Sequence, residues 1–123
     1  MDVKRCLDTY ALMEITEGNK KFIEIINSNF VITDITLAEF YSVLLRKMGE
    51  QTADYWLGKF ERHSLSVGRD ILIKAVKFRH EYKKTNISFF DAVGYIFSIE
   101  HGFYFVTGDK EFEKMINVGF KKK

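Results

Sequence analysis

The stretch from Asn86 to Phe112 (NISFFDAVGYIFSIEHGFYFVTGDKEF) constrains the fold of this chain more than any other. Its run Ala92–Ile99 is broken only by one glycine and one serine, which predicts a helix that is apolar on nearly every side and therefore buried. The residues Phe103–Val106 that follow predict a buried strand. Asp91 near the helix start and Asp109 after the strand suggest that this unit carries a site as well as a scaffold.

Strands and helices alternate along the rest of the chain. Further strands are predicted at Val3–Leu7, Phe30–Thr33 and Ser64–Val67, with an edge strand at Val118–Phe120. Helices are predicted over Tyr10–Thr16, after a cap at Asn19, from Asp34 or Thr36 to about Met48, over Glu50–His63, Gly68–Lys84 and Lys110–Met115. This order favours an α/β fold: a three-layer sandwich with a central, mainly parallel sheet of four to five short strands flanked by helices.

Several helices carry apolar residues at helical spacing, and we expect these residues to face the core. They are Phe22, Ile23, Ile25 and Ile26; Leu37, Phe40, Tyr41, Leu44, Leu45 and Met48; Tyr55, Trp56 and Phe60; and Ile71, Ala75, Phe78 and Tyr82.

Composition narrows the class of protein. The 123 residues predict one domain, residues 1–123, and a net charge of +2 is too small to indicate nucleic-acid binding by itself. A single cysteine, Cys6, excludes an internal disulfide and a cysteine metal cluster, and it fits a reduced, cytoplasmic setting. No apolar run reaches the length of a membrane span, and no signal peptide is predicted.

Four acidic residues are predicted to lie near one edge of the sheet. Asp8 directly follows the first strand, and Asp109 follows the strand Phe103–Val106, which we expect to lie beside the first strand. Glu39 lies in the first turns of the helix after the second strand, and Asp91 in the first turn of the buried helix. Ligands of open parallel sheets bind outside the carboxyl ends of the strands, which is where these residues are expected.

Each of these residues also has a purely structural interpretation. Asp8 and Asp109 could cap helices, Glu39 could be solvated, and Ser88 with Asp91 matches a capping box. Taken together, like charges at one edge repel each other unless a cation lies between them. Oxygen ligands without a Cys or His cluster suit Mg²⁺ or Mn²⁺.

The chain resembles the PIN-domain ribonucleases, and within them the VapC-type toxins of toxin–antitoxin pairs. The resemblance rests on four segments in order: LDTYAL (7–12), TLAE (36–39), ISFFDA (87–92) and FVTGDxxF (105–112). It extends from end to end of the chain, and it implies a PIN-like fold. The pair Phe89-Phe90 is bulkier than the family pattern, which affects the expected shape of the substrate groove.

The resemblance implies a metal-dependent endoribonuclease that hydrolyses RNA phosphodiester bonds with one or two Mg²⁺ or Mn²⁺ ions. It also implies a homodimer and an antitoxin protein, encoded nearby, that occupies the active-site groove. The positions that match the metal-binding, catalytic residues of the family are Asp8, Glu39, Asp91 and Asp109, with Thr9 and Thr107 as supporting polar residues.

Contacts to RNA phosphates farther from the metal would require Lys or Arg side chains, although a basic helix face is more often simply solvated. The candidates are Lys74, Lys77, Arg79, Lys83, Lys84 and Lys110.

Three alternatives remain open at the level of sequence. One is a PIN-domain nuclease of RNA processing or quality control that has no antitoxin. Another is a receiver-like module in which an Asp after a strand accepts a phosphoryl group on Mg²⁺, which leaves no role for Glu39. The third is a catalytically silent PIN-like scaffold.

Overall fold

The computed structural model describes residues 4–121 and contains one five-stranded, all-parallel sheet. The strands are β1 (Arg5–Leu7), β2 (Phe30–Thr33), β3 (Ser64–Leu65), β4 (Tyr104–Thr107) and β5 (Val118–Phe120). The helices are α1 (Thr9–Thr16), α2 (Lys20–Ile23), α3 (Asp34–Met48), α4 (Glu50–Phe60), α5 (Arg69–Glu81) and α6 (Phe89–His101). Single 3₁₀ turns follow α2, α4 and β4, at Glu24–Asn27, Glu61–His63 and Lys110–Phe112.

The strand order is β3-β2-β1-β4-β5, so the direction of strand addition reverses between β1 and β4. The register pairs Arg5 with Tyr104 and Leu7 with Val106. The predicted neighbourhood of the first strand and the strand after the buried helix is therefore confirmed, although β4 lies one residue later than predicted. In open α/β sheets such a reversal is the place where ligands bind.

Alternation along β1 and β4 separates two layers of helices. Leu7 and Val106 belong to one apolar cluster with residues of α1, α3 and α4. Cys6 and Phe105 point to the other side, where they join clusters formed with α5 and α6. Because successive strand residues face opposite sides of a sheet, a strand buried on both faces is apolar throughout. The predicted three-layer α/β architecture is confirmed.

Helix α6 is the buried helix that the sequence predicts, with six buried residues in its thirteen. Gly94 is the residue that lets it approach the sheet closely, since a Cβ there would lie 2.7 Å from the Phe105 ring. The N-cap at Ser88 and the C-cap at Gly102, which has a φ of 71°, set its two ends.

Several predicted core positions and boundaries are wrong. Leu45 (45%), Met48 (62%) and Tyr55 (57%) are largely exposed because the core covers only the Leu37, Phe40 and Leu44 side of α3 and the Phe60 end of α4. Ile23, Ile26 and Tyr82 are also exposed.

Most element boundaries differ by a few residues from the predictions. Helix α5 ends at Glu81 rather than Lys84, α4 ends at Phe60, β3 ends at Leu65, and the helix predicted over Lys110–Met115 is one 3₁₀ turn. Strand β1 begins at Arg5, and the predicted start at Val3 lies outside the described residues. No helix within residues 4–121 is both long and apolar enough to cross a bilayer.

Candidate active site

The carboxyl ends of β1 and β4 bring residues from opposite ends of the chain together. The Asp8 amide donates a hydrogen bond to the Val106 carbonyl (3.2 Å), which extends the pairing of the two strands by one residue. Asp8 thus leaves the sheet beside Thr107, two residues before Asp109.

Asp8 is 1% exposed, and its two carboxylate oxygens have different surroundings. Oδ1 accepts a hydrogen bond from the Ala11 amide (2.8 Å), so Asp8 is the N-cap of α1. Oδ2 is buried and has no hydrogen-bond partner among the described residues. Burial raises the pKa of Asp8, and the charges of Asp91 and Asp109 raise it further. The Thr107 hydroxyl and the Ala11 amide lower the pKa, but they do not offset this rise.

Asp91 lies in the first turn of α6, where its amide donates to the capping Ser88 hydroxyl (3.1 Å). This is one half of the predicted capping box, and the reciprocal bond is absent from the hydrogen bonds of residues 4–121. Burial raises the pKa of Asp91 to about 7, with additional contributions from the charges of Glu39 and Asp109. The Ser88 hydroxyl lowers the pKa of Asp91 by a smaller amount, so this carboxylate interacts both with its own helix cap and with the other acidic groups.

Glu39 and Asp109 are half-buried and complete the acidic set. The Thr9 hydroxyl donates to Glu39 Oε1, which ties the start of α1 to α3. Asp109 Oδ1 accepts from the Glu111 amide (3.0 Å), and the Asp109 amide donates to the Thr107 hydroxyl (3.0 Å). The predicted capping role of Asp109 is confirmed for this 3₁₀ turn.

All four predicted acidic residues line one cavity of about 740 Å³ at the β1–β4 edge. Its other lining residues are Thr9, Tyr10, Gly108, Lys110, Glu113 and Phe120. Within residues 4–121, no three His, Cys, Asp or Glu side chains converge into a ready-made ion cage. The carboxylates thus share a cavity, and their charges raise the pKa values of Asp8 and Asp91, without closing around a common point.

Sequence reasoning did not single out Tyr10, Gly108, Glu113 or Phe120 as cavity residues. Tyr10 and Gly108 form a matched pair, since a Cβ on Gly108 would lie 2.1 Å from the Tyr10 ring. The adjacency of Tyr10 to Asp8 and of Gly108 to Asp109 in the chain was the available signal. Phe120 reaches the site because β5 pairs with β4, Thr107 with Phe120.

The donor set of the cavity suits a hard divalent cation. It offers carboxylate oxygens, and neither Cys nor His lines it. A buried carboxylate oxygen without a partner carries a desolvation cost, and neighbouring carboxylates raise that cost. Mg²⁺ and Mn²⁺ prefer such oxygen ligands, so the residues present fit an ion of this class.

The histidines have structural surroundings. His63 stacks on Phe30, with ring centroids 4.0 Å apart, and His101 stacks on Phe97 at 4.2 Å. Neither residue lines the acidic cavity.

An open parallel sheet with an acidic cavity between β1 and β4 is the architecture that the resemblance to PIN domains implies. The model of the PIN domain matches residues 5–117, and the chain therefore belongs to the PIN-domain family. No curated protein sequence matches it.

Solved structures with the same fold include a toxin–antitoxin complex, a toxin and a DNA-bound VapBC assembly. A toxin–antitoxin complex from Klebsiella pneumoniae superposes with a TM-score of 0.76 at 21% identity, over 97% of this chain and 99% of that one. The Mycobacterium tuberculosis VapC20, described as a sarcin-ricin loop cleaving toxin, gives 0.76 at 17% identity over 93% and 98%. DNA-bound VapBC from Salmonella typhimurium gives 0.76 at 22% over 98% of both chains. At these identities the likeness shows the fold.

Proposed function

We propose that this chain is a metal-dependent endoribonuclease that hydrolyses RNA phosphodiester bonds at its acidic cavity. The observation that carries the proposal is the buried, partnerless Asp8 Oδ2 in a cavity that it shares with Glu39, Asp91 and Asp109. A divalent cation beside this buried oxygen would take the place of the missing hydrogen-bond donor and so stabilise the folded protein.

Each acidic residue has a role in this proposal. Asp8, Asp91 and Asp109 hold Mg²⁺ or Mn²⁺, and Glu39 either ligates the ion or orients the attacking water. The Thr9 hydroxyl holds Glu39 by donating a hydrogen bond to Oε1, and the Thr107 hydroxyl holds Asp109 by accepting a hydrogen bond from the Asp109 amide. When bound, the ion supplies Lewis acidity at the scissile phosphate and lowers the pKa of water. The negative cavity also explains why RNA would not enter it without the cation.

The related structures support a narrower form of the proposal, in which the chain is the toxin of a type II toxin–antitoxin pair. The structure from Klebsiella is a toxin–antitoxin complex, that from Salmonella is DNA-bound VapBC, and that from Mycobacterium is described as a sarcin-ricin loop cleaving toxin. We extend to this chain a cytoplasmic location, an antitoxin encoded nearby and a homodimer, with residues 1–123 acting as one nuclease domain. The exposed apolar side chains Leu45, Met48 and Tyr55 offer surface for a subunit or an antitoxin.

The receiver-like alternative does not fit the topology. Receiver-like proteins use the strand order 2-1-3-4-5, whereas this sheet has the order 3-2-1-4-5. Glu39 also lines the same cavity as Asp8, a position for which a phosphoacceptor module has no use.

Cleavage of RNA by the purified protein tests the proposal. We expect cleavage with Mg²⁺ or Mn²⁺ and none with EDTA. Asp8→Asn and Asp91→Asn should each lower the cleavage rate by more than the roughly 10–100-fold that is typical when a residue hydrogen-bonded to a metal ligand is lost. Asp34→Asn is the matched control, because Asp34 is exposed and lies outside the cavity. Equal activity in all four proteins, or activity in EDTA, would overturn the assignment.

The hypothesis that the chain is a toxin has its own test. Expression of the chain should stop growth, and co-expression of a small protein encoded beside it should restore growth and bind the chain. A nuclease whose expression is harmless and that has no such neighbour would instead be an RNA-processing PIN protein.

A further inference from the structure

Two further cavities continue the acidic cavity across the surface toward the end of α5. Lys110 and Glu113 line both the acidic cavity and a second cavity of about 460 Å³. Tyr82 lines this second cavity and also a third one of about 360 Å³. Because neighbouring cavities share wall residues, the three lie side by side on the surface.

The charge of the lining changes sign along this surface. The first cavity holds Asp8, Glu39, Asp91, Asp109 and Glu113 against a single lysine, Lys110. In the second cavity two lysines offset two glutamates, namely Lys110 and Lys114 against Glu111 and Glu113. The third cavity contains Arg79, His80 and Lys83 and no acidic residue.

The cations of the third cavity are available for a ligand. Within residues 4–121 the ion pairs are Lys74 with Glu100 and Lys121 with Glu24, so neither Arg79 nor Lys83 is neutralised in this way. Arg79 Nε donates to the Ile87 carbonyl (3.1 Å), which holds the guanidinium in the cavity wall. This bond uses one of the five N–H groups of the arginine.

Tyr82 lies between the neutral and the basic cavity with a fixed but accessible ring. It packs against Phe78, with ring centroids 4.6 Å apart, and it remains 40% exposed. An exposed aromatic ring among basic side chains is the arrangement with which proteins bind a single nucleic-acid strand, since any base can stack on it.

We propose that this surface is the path of the RNA strand outside the active site, with a base on Tyr82 and backbone phosphates on Arg79 and Lys83. The inference rests on the proposed function and adds the residues that hold the substrate. A strongly acidic cavity repels the phosphates that flank the scissile bond, so the strand needs an anchor at a distance. Lys110 is the first cation that the strand meets on leaving the carboxylates.

The structure also provides a charge-matched control on the same segment. Lys77 and Lys84 belong to the basic face that the sequence suggested, yet neither lines any of the three cavities. Each of the two double substitutions, at Lys77 and Lys84 or at Arg79 and Lys83, removes two positive charges. A general electrostatic effect on RNA binding is therefore the same in both variants and cancels in the comparison.

The test compares Arg79→Gln/Lys83→Gln with Lys77→Gln/Lys84→Gln in binding of a labelled, unstructured RNA by fluorescence anisotropy. Ca²⁺ replaces Mg²⁺ so that the RNA stays intact, which a gel verifies. We expect the first pair to raise Kd about tenfold more than the control pair. Loss of two phosphate contacts should also reduce the slope of log K against log salt by about 1.4. With Mg²⁺, the loss in cleavage should fall mainly on KM.

A second variant guards against a folding effect, because Arg79 also bonds the backbone. Tyr82→Leu/Lys83→Gln leaves that bond intact and should weaken RNA binding by about tenfold or more through the lost stacking. Equal Kd values for all variant pairs, with wild-type binding and cleavage intact, would overturn the path alone. Wild-type binding without cleavage, weakened by both test pairs, would support the path while refuting the nuclease. Absence of wild-type RNA binding would overturn both.

Discussion

Asp8 divides its two carboxylate oxygens between a structural and a chemical environment. Oδ1 satisfies the Ala11 amide at the start of α1, and this bond alone would explain an aspartate at an N-cap. Oδ2 adds nothing to the cap, because it is buried and has no hydrogen-bond partner among the described residues. A buried acceptor of this kind costs free energy, which the proposed cation would offset.

The raised pKa of Asp91 predicts a pH dependence of stability in the metal-free protein. Its folded-state pKa of about 7 lies above the ordinary value of 3.8, so folding favours the protonated carboxyl. The stabilisation that Asp91 adds to the free energy of unfolding is complete below about pH 4 and is lost as the pH rises through about 7. In EDTA, the free energy of unfolding should therefore fall between about pH 5 and about pH 8 by at least about 1 kcal/mol more in wild type than in Asp91→Asn. Denaturant titrations measure the difference, and parallel pH profiles would contradict it.

Gly108 and Tyr10 predict a second effect at the residue scale. An added Cβ at Gly108 would lie 2.1 Å from the Tyr10 ring, so Gly108→Ala should destabilise the fold by about 1–3 kcal/mol through overpacking. In Tyr10→Ala the same substitution should cost much less, since the ring is gone. Gly58→Ala is the control, because no atom lies within 4 Å of its added Cβ. Additive effects in the double-mutant cycle would show that the two residues do not interact.

Helix starts and strand ends, rather than single residues, place the acidic groups. Asp8 is the cap of α1, Asp109 caps a 3₁₀ turn after β4, and Asp91 follows the cap of α6. The carboxylates of Asp8 and Asp109 are therefore held by the backbone of the element that each precedes, whereas Asp91 is positioned through its own amide. The capping and the metal-binding interpretations of these residues are compatible, because a cap fixes the position from which a carboxylate can reach a ligand.

The cap of α6 can be tested separately from the charge of Asp91. Ser88→Ala removes the acceptor of the Asp91 amide and should cost about 1 kcal/mol in the free energy of unfolding. We also expect weaker activation by Mg²⁺, because the first turn that carries Asp91 loosens. Ser88→Thr should restore both properties. Ser42→Ala, at an exposed position inside α3, should leave both unchanged, and an equal loss in this control would refute the capping argument.

At the scale of the whole molecule, the strand order is the decisive feature. Placing β1 next to β4 joins Asp8 to a segment about a hundred residues later, while α3 and α6 bring Glu39 and Asp91 to the same cavity. The same packing leaves Leu45, Met48 and Tyr55 outside the core. Only this arrangement brings the acidic residues of separate local motifs to one cavity.

Binding of the proposed cation should stabilise the entire fold. A ligand that binds only the folded state adds about 2.7 kcal/mol to the free energy of unfolding at a hundred times its Kd. Thermal unfolding with Mn²⁺ or Mg²⁺ should thus shift upward in wild type and Asp34→Asn, and much less in Asp8→Asn and Asp91→Asn. An identical shift in all four proteins would place the ion elsewhere.

Local patterns of residues were enough to predict the α/β class, the buried helix α6, most element positions and the four acidic residues that line one cavity, because periodicity, caps and strand ends are local properties of the chain. It did not determine which apolar side of α3 and α4 meets the core, since Leu45 and Tyr55 are as apolar as their buried neighbours. The folded chain was needed to reveal the pairing of Tyr10 with Gly108, the partnerless state of Asp8 Oδ2 and the basic cavity at Arg79. These features depend on contacts between distant segments, and no local pattern of residues encodes such contacts.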